Sequence, residues 1–293
     1  MVQEGDFNHY SAVLSYLESN DLADDSNYNY VSTQLDPENF TDFFIANIFA
    51  NNTDWPHNNI EFWRKKTSAY EPDAPYGQDG RWRWVLKDMD FGFGSESEQP
   101  SYENNTLAYA SSTGGDINTN PEWSTFVFRK LLGNEKFRIN FINRFADLMN
   151  TTYIPQRVNG IIDEMKSGIA AEILQHGKRW QSFTTLSNWE GHIQTLVEFA
   201  NHRREFQRNH IREKFGIDQN IDVTLQVNDN AAGSIAINTI TIAPGTDGIV
   251  QNPYPWTGVY FSGIPVVLKA VPKTVMCLAT GKAPQKVPSR KLL

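Results

Sequence analysis

The stretch from Pro37 to Phe49 (PENFTDFFIANIF) limits what this chain can become more than any other. Asp36 offers an N-cap side chain, and Pro37 suits the first helical turn, where a missing N–H is harmless. Phe40, Phe44 and Ile48 recur every four residues and so share one helix face. Phe43, Ile45 and Phe49 widen that face until little polar circumference remains. A helix of this kind is stable in water only when other elements surround it. The chain is therefore expected to fold around this helix, with the polar turn Asn51-Asn52-Thr53-Asp54 emerging at the edge of a core.

The flanking sequence suggests what surrounds it. Val13, Leu14 and Leu17 predict a short helix over 8–20, and the polar stretch 21–30 reads as a loop. Two strand-like pieces follow the turn, at 59–64 and 81–86. Their connection over 70–80 is rich in Pro and Gly, so a hairpin with a long loop is expected. Residues 95–122 read as a polar surface loop. Helical periodicity returns from Trp123, over 134–149 (Phe137, Phe141, Ile142, Phe145, Leu148) and over 155–174, which opens with Pro155. Ser187-Asn188-Trp189-Glu190 has capping-box spacing, and its helix should run to Phe215 and stop at Gly216. Over 221–271 the period is lost and short β-like runs appear, with Gly, Asn, Asp and Pro between them. An α+β chain is expected, with one domain over 1–216, a small separate β module over 221–272 and an irregular basic tail over 273–293. That tail reads equally as a truncated or out-of-frame end and as a disordered terminus.

Composition removes some functions. A formal net charge of -8 argues against nucleic acid as a partner, since phosphate contacts need clustered Lys and Arg. No apolar run approaches the roughly 18 residues a membrane span requires, and Met1 to Asp6 shows no signal-peptide pattern. Cys277 is the single cysteine, which excludes an internal disulfide or a cysteine-based zinc site. The basic runs Lys178-Arg179 and Arg203 to Arg208 read as exposed helix faces.

Two clusters could carry chemistry. In Asp54-Trp55-Pro56-His57-Asn58-Asn59 an Asp precedes an Asn by five residues, a spacing by which protein kinases present a proton-accepting carboxylate and a metal-binding carboxamide to one cleft. Asp and Asn also dominate turns for local reasons. Asp88-Met89-Asp90-Phe91-Gly92 contains Asp-Phe-Gly at a strand end, where kinases hold Mg²⁺ against nucleotide phosphates. An acidic hairpin turn would look the same. The order of the two, with a hairpin between them and a buried helix before, is more specific than either piece.

From Asp36-Pro37-Glu38-Asn39-Phe40 through Asn52-Thr53-Asp54-Trp55-Pro56, Asn58-Asn59, Phe62-Trp63-Arg64 and Trp82-Arg83-Trp84 to Asp88-Met89-Asp90-Phe91-Gly92-Phe93-Gly94, the chain resembles the CotH (spore coat protein H-like) family of atypical protein kinases. The resemblance covers about the first 215 residues. It implies a mostly helical, protein-kinase-like large lobe with a β-hairpin at the active site, using ATP and Mg²⁺ or Mn²⁺ to phosphorylate serine hydroxyls of a protein substrate. It also implies an extracellular or cell-surface location. By motif, Asp54 becomes the catalytic carboxylate, Asn59 and Asp90 become metal ligands with Asp88 as accessory ligand, and His57 and Asn58 become substrate-side or supporting candidates. Trp63, Trp82 and Trp84 are expected in the core or cleft wall.

A kinase further needs a cation that clamps the nucleotide phosphates. Residues 1–35 contain no Lys or Arg, and Arg64, Lys65, Lys66 and Lys87 do not match that position. The chain is accordingly expected to begin inside the domain and to bind ATP weakly. A non-catalytic surface-binding module on the same scaffold is the alternative. A metal-dependent hydrolase built on Asp88 and Asp90 lacks a nearby His or further carboxylate.

Overall fold

The computed structural model describes residues 4–94, 100–181 and 185–273. The tail expected beyond Lys273, Cys277 included, lies outside them, as does part of the loop expected over 95–122.

Three helices open the chain: α1 (Asn8–Ser19), α2 (Asp25–Ser32) and α3 (Pro37–Ala50). α2 corrects the loop expected over 21–30. Asp24 caps it by accepting from the Ser26 N–H, and Tyr28 and Val31 turn inward. Two buried residues in one short helix leave no period to read. In α3, Asp36 accepts from the N–H groups of Glu38 and Asn39, and Phe40, Phe43, Phe44, Ile45, Ile48 and Phe49 are all buried. Phe44 stacks on Phe128 and meets the Trp55 ring edge-on. Burying each such aromatic stabilises the fold by roughly 1.5–3 kcal/mol, so this helix organises the core, as its sequence demands.

β1 (Glu61–Trp63) and β2 (Arg83–Val85) pair antiparallel, with Phe62 opposite Trp84. The expected hairpin is present with shorter strands. Side chains fasten it to α3. Asn39 accepts from the Trp84 N–H at 2.7 Å and donates to the Trp84 carbonyl at 3.2 Å, as a strand neighbour would. Asp36, the α3 cap, also takes Arg83 at 2.8 Å. Arg83 is buried and pairs with Asp79 at 2.7 Å, which pins the long connection between the strands.

Beyond the hairpin lie α4 (Thr106–Ala110), α5 (Glu122–Leu131), α6 (Glu135–Asn150), α7 (Pro155–Ile169), α8 (Ile173–Trp180) and α9 (Leu186–Phe215). The loop over 95–122 is corrected in its described part: a 3-10 turn at Ser101–Glu103 and α4 interrupt it, and Leu107 and Ala110 enter the core. The helix expected over 155–174 ends at Ile169. The cap of α9 is Thr185, whose hydroxyl accepts from the Asn188 N–H at 3.2 Å, and not Ser187. Gly216 closes α9 with φ 64°, a left-handed conformation that favours glycine. No described helix is long and apolar enough to cross a membrane.

The last part is β. β3 (Asn220–Leu225) pairs with β6 (Trp256–Phe261), and β4 (Gly233–Ile237) lies between β5 (Ile240–Ile242) and β7 (Leu268–Pro272), all antiparallel. α6 turns a polar stripe toward them. Asn150 both accepts from and donates to the backbone of Val259, and Asn143 donates to the Pro265 carbonyl. Asp147 accepts from the Thr239 N–H and hydroxyl, the Asn238 amide and the Tyr260 hydroxyl. Burial pushes the Asp147 carboxyl above the usual carboxylate range, and these hydrogen bonds oppose the push. Leu225, Ile237, Ile240, Ile242, Tyr260 and Phe261 join the same buried cluster as α3 and α6. The architecture is α+β.

Candidate active site

The site begins where α3 ends. Asn51 takes the left-handed conformation, φ 51°, that lets the chain leave the helix. The side chain of Asn52 is buried and donates to Asn47 Oδ1 at 3.0 Å. Its own Oδ1 accepts from the Asp54 N–H at 3.2 Å, which sets the direction of the Asp54 backbone. Trp55 is buried against Phe43 and Phe44 and anchors the next residue in the core.

The second cluster is bound to the first through the backbone. The Thr53 N–H donates to the Phe91 carbonyl at 3.2 Å, and the Phe93 N–H donates to the Ala50 carbonyl at 2.8 Å. Gly92 lies in this seam: a Cβ there would sit 3.0 Å from the Met89 carbonyl oxygen and 3.2 Å from the Ala50 Cβ. Close approach of the two segments thus favours the glycine of Asp-Phe-Gly.

Both carboxylate oxygens of Asp54 are engaged. Oδ1 accepts from the Asn58 amide at 3.1 Å and Oδ2 from the Asn59 amide at 2.8 Å. His57 Nε2 lies 3.7 Å from Oδ1. The left-handed backbone at Asn59, φ 58°, turns the chain into the hairpin while keeping the amide on Asp54. With its Nδ2 committed, Asn59 retains Oδ1 as an oxygen donor.

Asp88 is left-handed as well, φ 54°. A hydrogen bond to Asp90 and the Asp90 charge hold its carboxyl above the usual range, with a further contribution from Asp54 and opposition from Lys87. Asp54, Asp88 and Asp90 therefore share one local field, although more than thirty residues separate the first from the others. Lys87 pairs with Glu61 at 2.7 Å beside them. All six residues singled out in the sequence fall on the two joined segments.

Among the described residues, no group of three or more His, Cys, Asp or Glu is arranged to hold a metal ion. Asp88, Asp90 and Asn59 are a smaller set of hard oxygen donors. Such a set suits Mg²⁺ or Mn²⁺, ions that keep several waters and complete their shell with substrate phosphates. Mutual repulsion between the acids also fits a bound dication.

Two expectations need correction. Arg203 and Arg208 are buried and not on an exposed face. Arg203 Nε donates to the Phe49 carbonyl and Nη2 to the Ile48 carbonyl at 2.7 Å. Nη1 reaches the carbonyls of Tyr102 and Asn104. Nη2 also meets Thr106 Oγ1, whose own hydroxyl donates to Asn51 Oδ1 at 2.7 Å. A cation at the end of α3 is favoured by the helix dipole, and burial lowers its pKa only to about 9, so it stays charged at neutral pH. The sequence did hold a signal: Phe199, Arg203, Gln207 and Ile211 recur every four residues on the buried face of α9. Trp63, second, is exposed and lies over Gly77, while Trp84 is buried and Trp82 half-buried.

A family model described as CotH kinase protein matches residues 1–207. No curated protein and no solved structure matches the chain.

Proposed function

Because the chain belongs to the CotH kinase family, we propose that the joined segments form a phosphotransfer site, moving the γ-phosphoryl group of ATP to serine hydroxyls of a protein with Mg²⁺ or Mn²⁺. The helical part then corresponds to a kinase large lobe. The observation that carries this reading is the backbone seam that joins the Asp54 segment to the segment of Asp88 and Asp90, with Asp54 close enough to act on Asp88.

Asp54 accepts the proton of the substrate hydroxyl as the oxygen attacks phosphorus. The Asn58 and Asn59 amides restrain both oxygens of that carboxylate, so its orientation is set before substrate arrives. Asp88, Asp90 and Asn59 Oδ1 would hold the divalent ion. When bound, that ion neutralises charge on the phosphate oxygens. His57 lies at the rim of Asp54, where it can contact the substrate side.

The test is transfer of radiolabelled phosphate from ATP to a serine-containing protein, or to the chain itself, with Mg²⁺ or Mn²⁺. Asp54→Ala and Asp90→Ala should abolish transfer while circular dichroism stays unchanged. Transfer that survives in either variant, at the level of the wild-type chain, overturns the reading.

A further inference from the structure

A cavity of about 420 Å³ lies at the far end of the hairpin from Asp54, beside the connection between β1 and β2. His9, Gln34, Arg64, Thr67 and Ser68 line it, and no carboxylate does. That selection is notable in a chain with 34 Asp and Glu against 26 Lys and Arg. Asp6 acts on Arg64 through its charge and pairs with Lys66 at 3.4 Å.

Trp82 organises the donors. Its indole N–H donates to His9 Nδ1 at 3.0 Å, so the neutral imidazole carries its hydrogen on Nε2. The Arg64 guanidinium sits 5.8 Å from the centre of the same ring system, an attractive cation–π placement. One Arg64 nitrogen, Nη1, donates to the Gly80 carbonyl at 2.8 Å, which fixes the plane of the group. Its other N–H donors have no acceptor among the described residues. Thr67 Oγ1 is closed off against Gly80 and offers the cavity no hydroxyl. Thr33, also on the wall, is already committed, because its hydroxyl donates to the Tyr30 carbonyl.

A planar cationic fork and a neutral imidazole N–H on residues that line one cavity match a phosphate group. The cavity exceeds what a bare phosphate fills, leaving room for a chain that carries it. We propose that this cavity binds a phosphoserine side chain of a protein segment. Arg64 follows Asn59 by five residues, and strand rise puts at most roughly 17 Å between them. A serine at Asp54 and a phosphoserine in the cavity could therefore belong to one substrate segment. That last consequence rests on the phosphotransfer reading; the binding does not.

The test titrates the full chain, in EDTA, with a phosphoserine peptide, its unphosphorylated form and inorganic phosphate. Binding is followed by calorimetry and by the Trp82 indole N–H resonance, assigned through Trp82→Phe. EDTA removes any route through a metal at the acidic cluster, so the result is independent of whether the chain transfers phosphate. The phosphoserine peptide should bind and shift the Trp82 resonance, and the unphosphorylated peptide should do neither. Arg64→Gln should weaken binding about tenfold or more. The resonance shift is read on unaltered site residues, so it decides the matter even if Arg64→Gln folds poorly. No shift with any probe up to about 10 mM, or unchanged affinity in folded Arg64→Gln, overturns the proposal. Binding of inorganic phosphate with no preference for the phosphoserine peptide overturns the assignment of a protein ligand.

Discussion

Arg203 Nε donates to the carbonyl of Phe49 at 2.9 Å, joining α9 to the last turn of α3. The residue after that turn begins the segment that carries Asp54, and Ala50 accepts from Phe93 of the other segment. One buried guanidinium thus stands behind both halves of the candidate site.

Arg203→Lys tests that arrangement. A lysine keeps the charge but has a single nitrogen, and it cannot serve the carbonyls of Ile48, Phe49, Tyr102 and Asn104 together. Each buried carbonyl left without a donor costs about 1–3 kcal/mol, so a loss of roughly 3 kcal/mol or more in urea unfolding is expected. Amide exchange at Thr53 and Phe93, whose N–H groups form the seam, should accelerate more than exchange within α6. Unchanged protection at those two amides would show that Arg203 holds the helices without holding the site.

Asn59→Asp separates the role of the carboxamide from that of the backbone. Aspartate tolerates the left-handed conformation at this position, so the turn should persist. The 2.8 Å donation to Asp54 would be replaced by a contact between two carboxylates. Phosphotransfer should fall by about a hundredfold or more, the scale of losing a group that positions a reacting centre. Near-native transfer rates in this variant would remove Asn59 from the site.

The elements that were legible in the sequence share a physical reason. α3 announced itself because a helix buried nearly all round needs apolar residues at every turn. The Asp36 cap and the Gly216 stop were readable because backbone geometry there admits few residue types. What stayed hidden is of another kind. The seam from Thr53 to Phe91 and from Phe93 to Ala50 is made of backbone groups, which leave no side-chain signature apart from the small residue at Gly92. Arg203 occupied an apolar face position, yet its charge and its basic neighbours suggested solvent. α2 and α4 bury too few residues for a period to emerge.

The Asp79 and Arg83 pair gives a stability prediction with a defined acid side. Hydrogen bonds from Arg83, with help from Arg81, hold the Asp79 carboxyl well below the usual carboxylate range against the opposing effect of burial. A depressed folded pKa means that the pair contributes fully above the ordinary Asp value of about 4. That contribution is lost as pH falls through the lower folded value. Asp79→Asn leaves Arg83 only Asp36 as a carboxylate partner and should cost about 3 kcal/mol at neutral pH. The difference between wild type and variant, measured by urea unfolding, should shrink progressively below pH ~4. A difference that is constant down to pH ~2 would mean that the carboxylate charge is not what matters.

His210 supplies a second pH window that leads back to Arg203. Burial first, and the Arg203 charge after it, push its pKa down to about 4 against a hydrogen bond to the Glu103 backbone. The unfolded chain binds a proton near the ordinary histidine value of about 6.5, so stability should decline as pH falls from there to about 4 and then level off for this group. His210→Gln should flatten the decline across that interval while leaving the steeper loss below it. In Arg203→Met the neighbouring charge is gone, and the His210 titration followed by NMR should move upward. Arg203→Lys, which keeps a charge nearby, should move it less. If neither substitution shifts that titration, the guanidinium does not act on the imidazole and burial alone sets the lowered value.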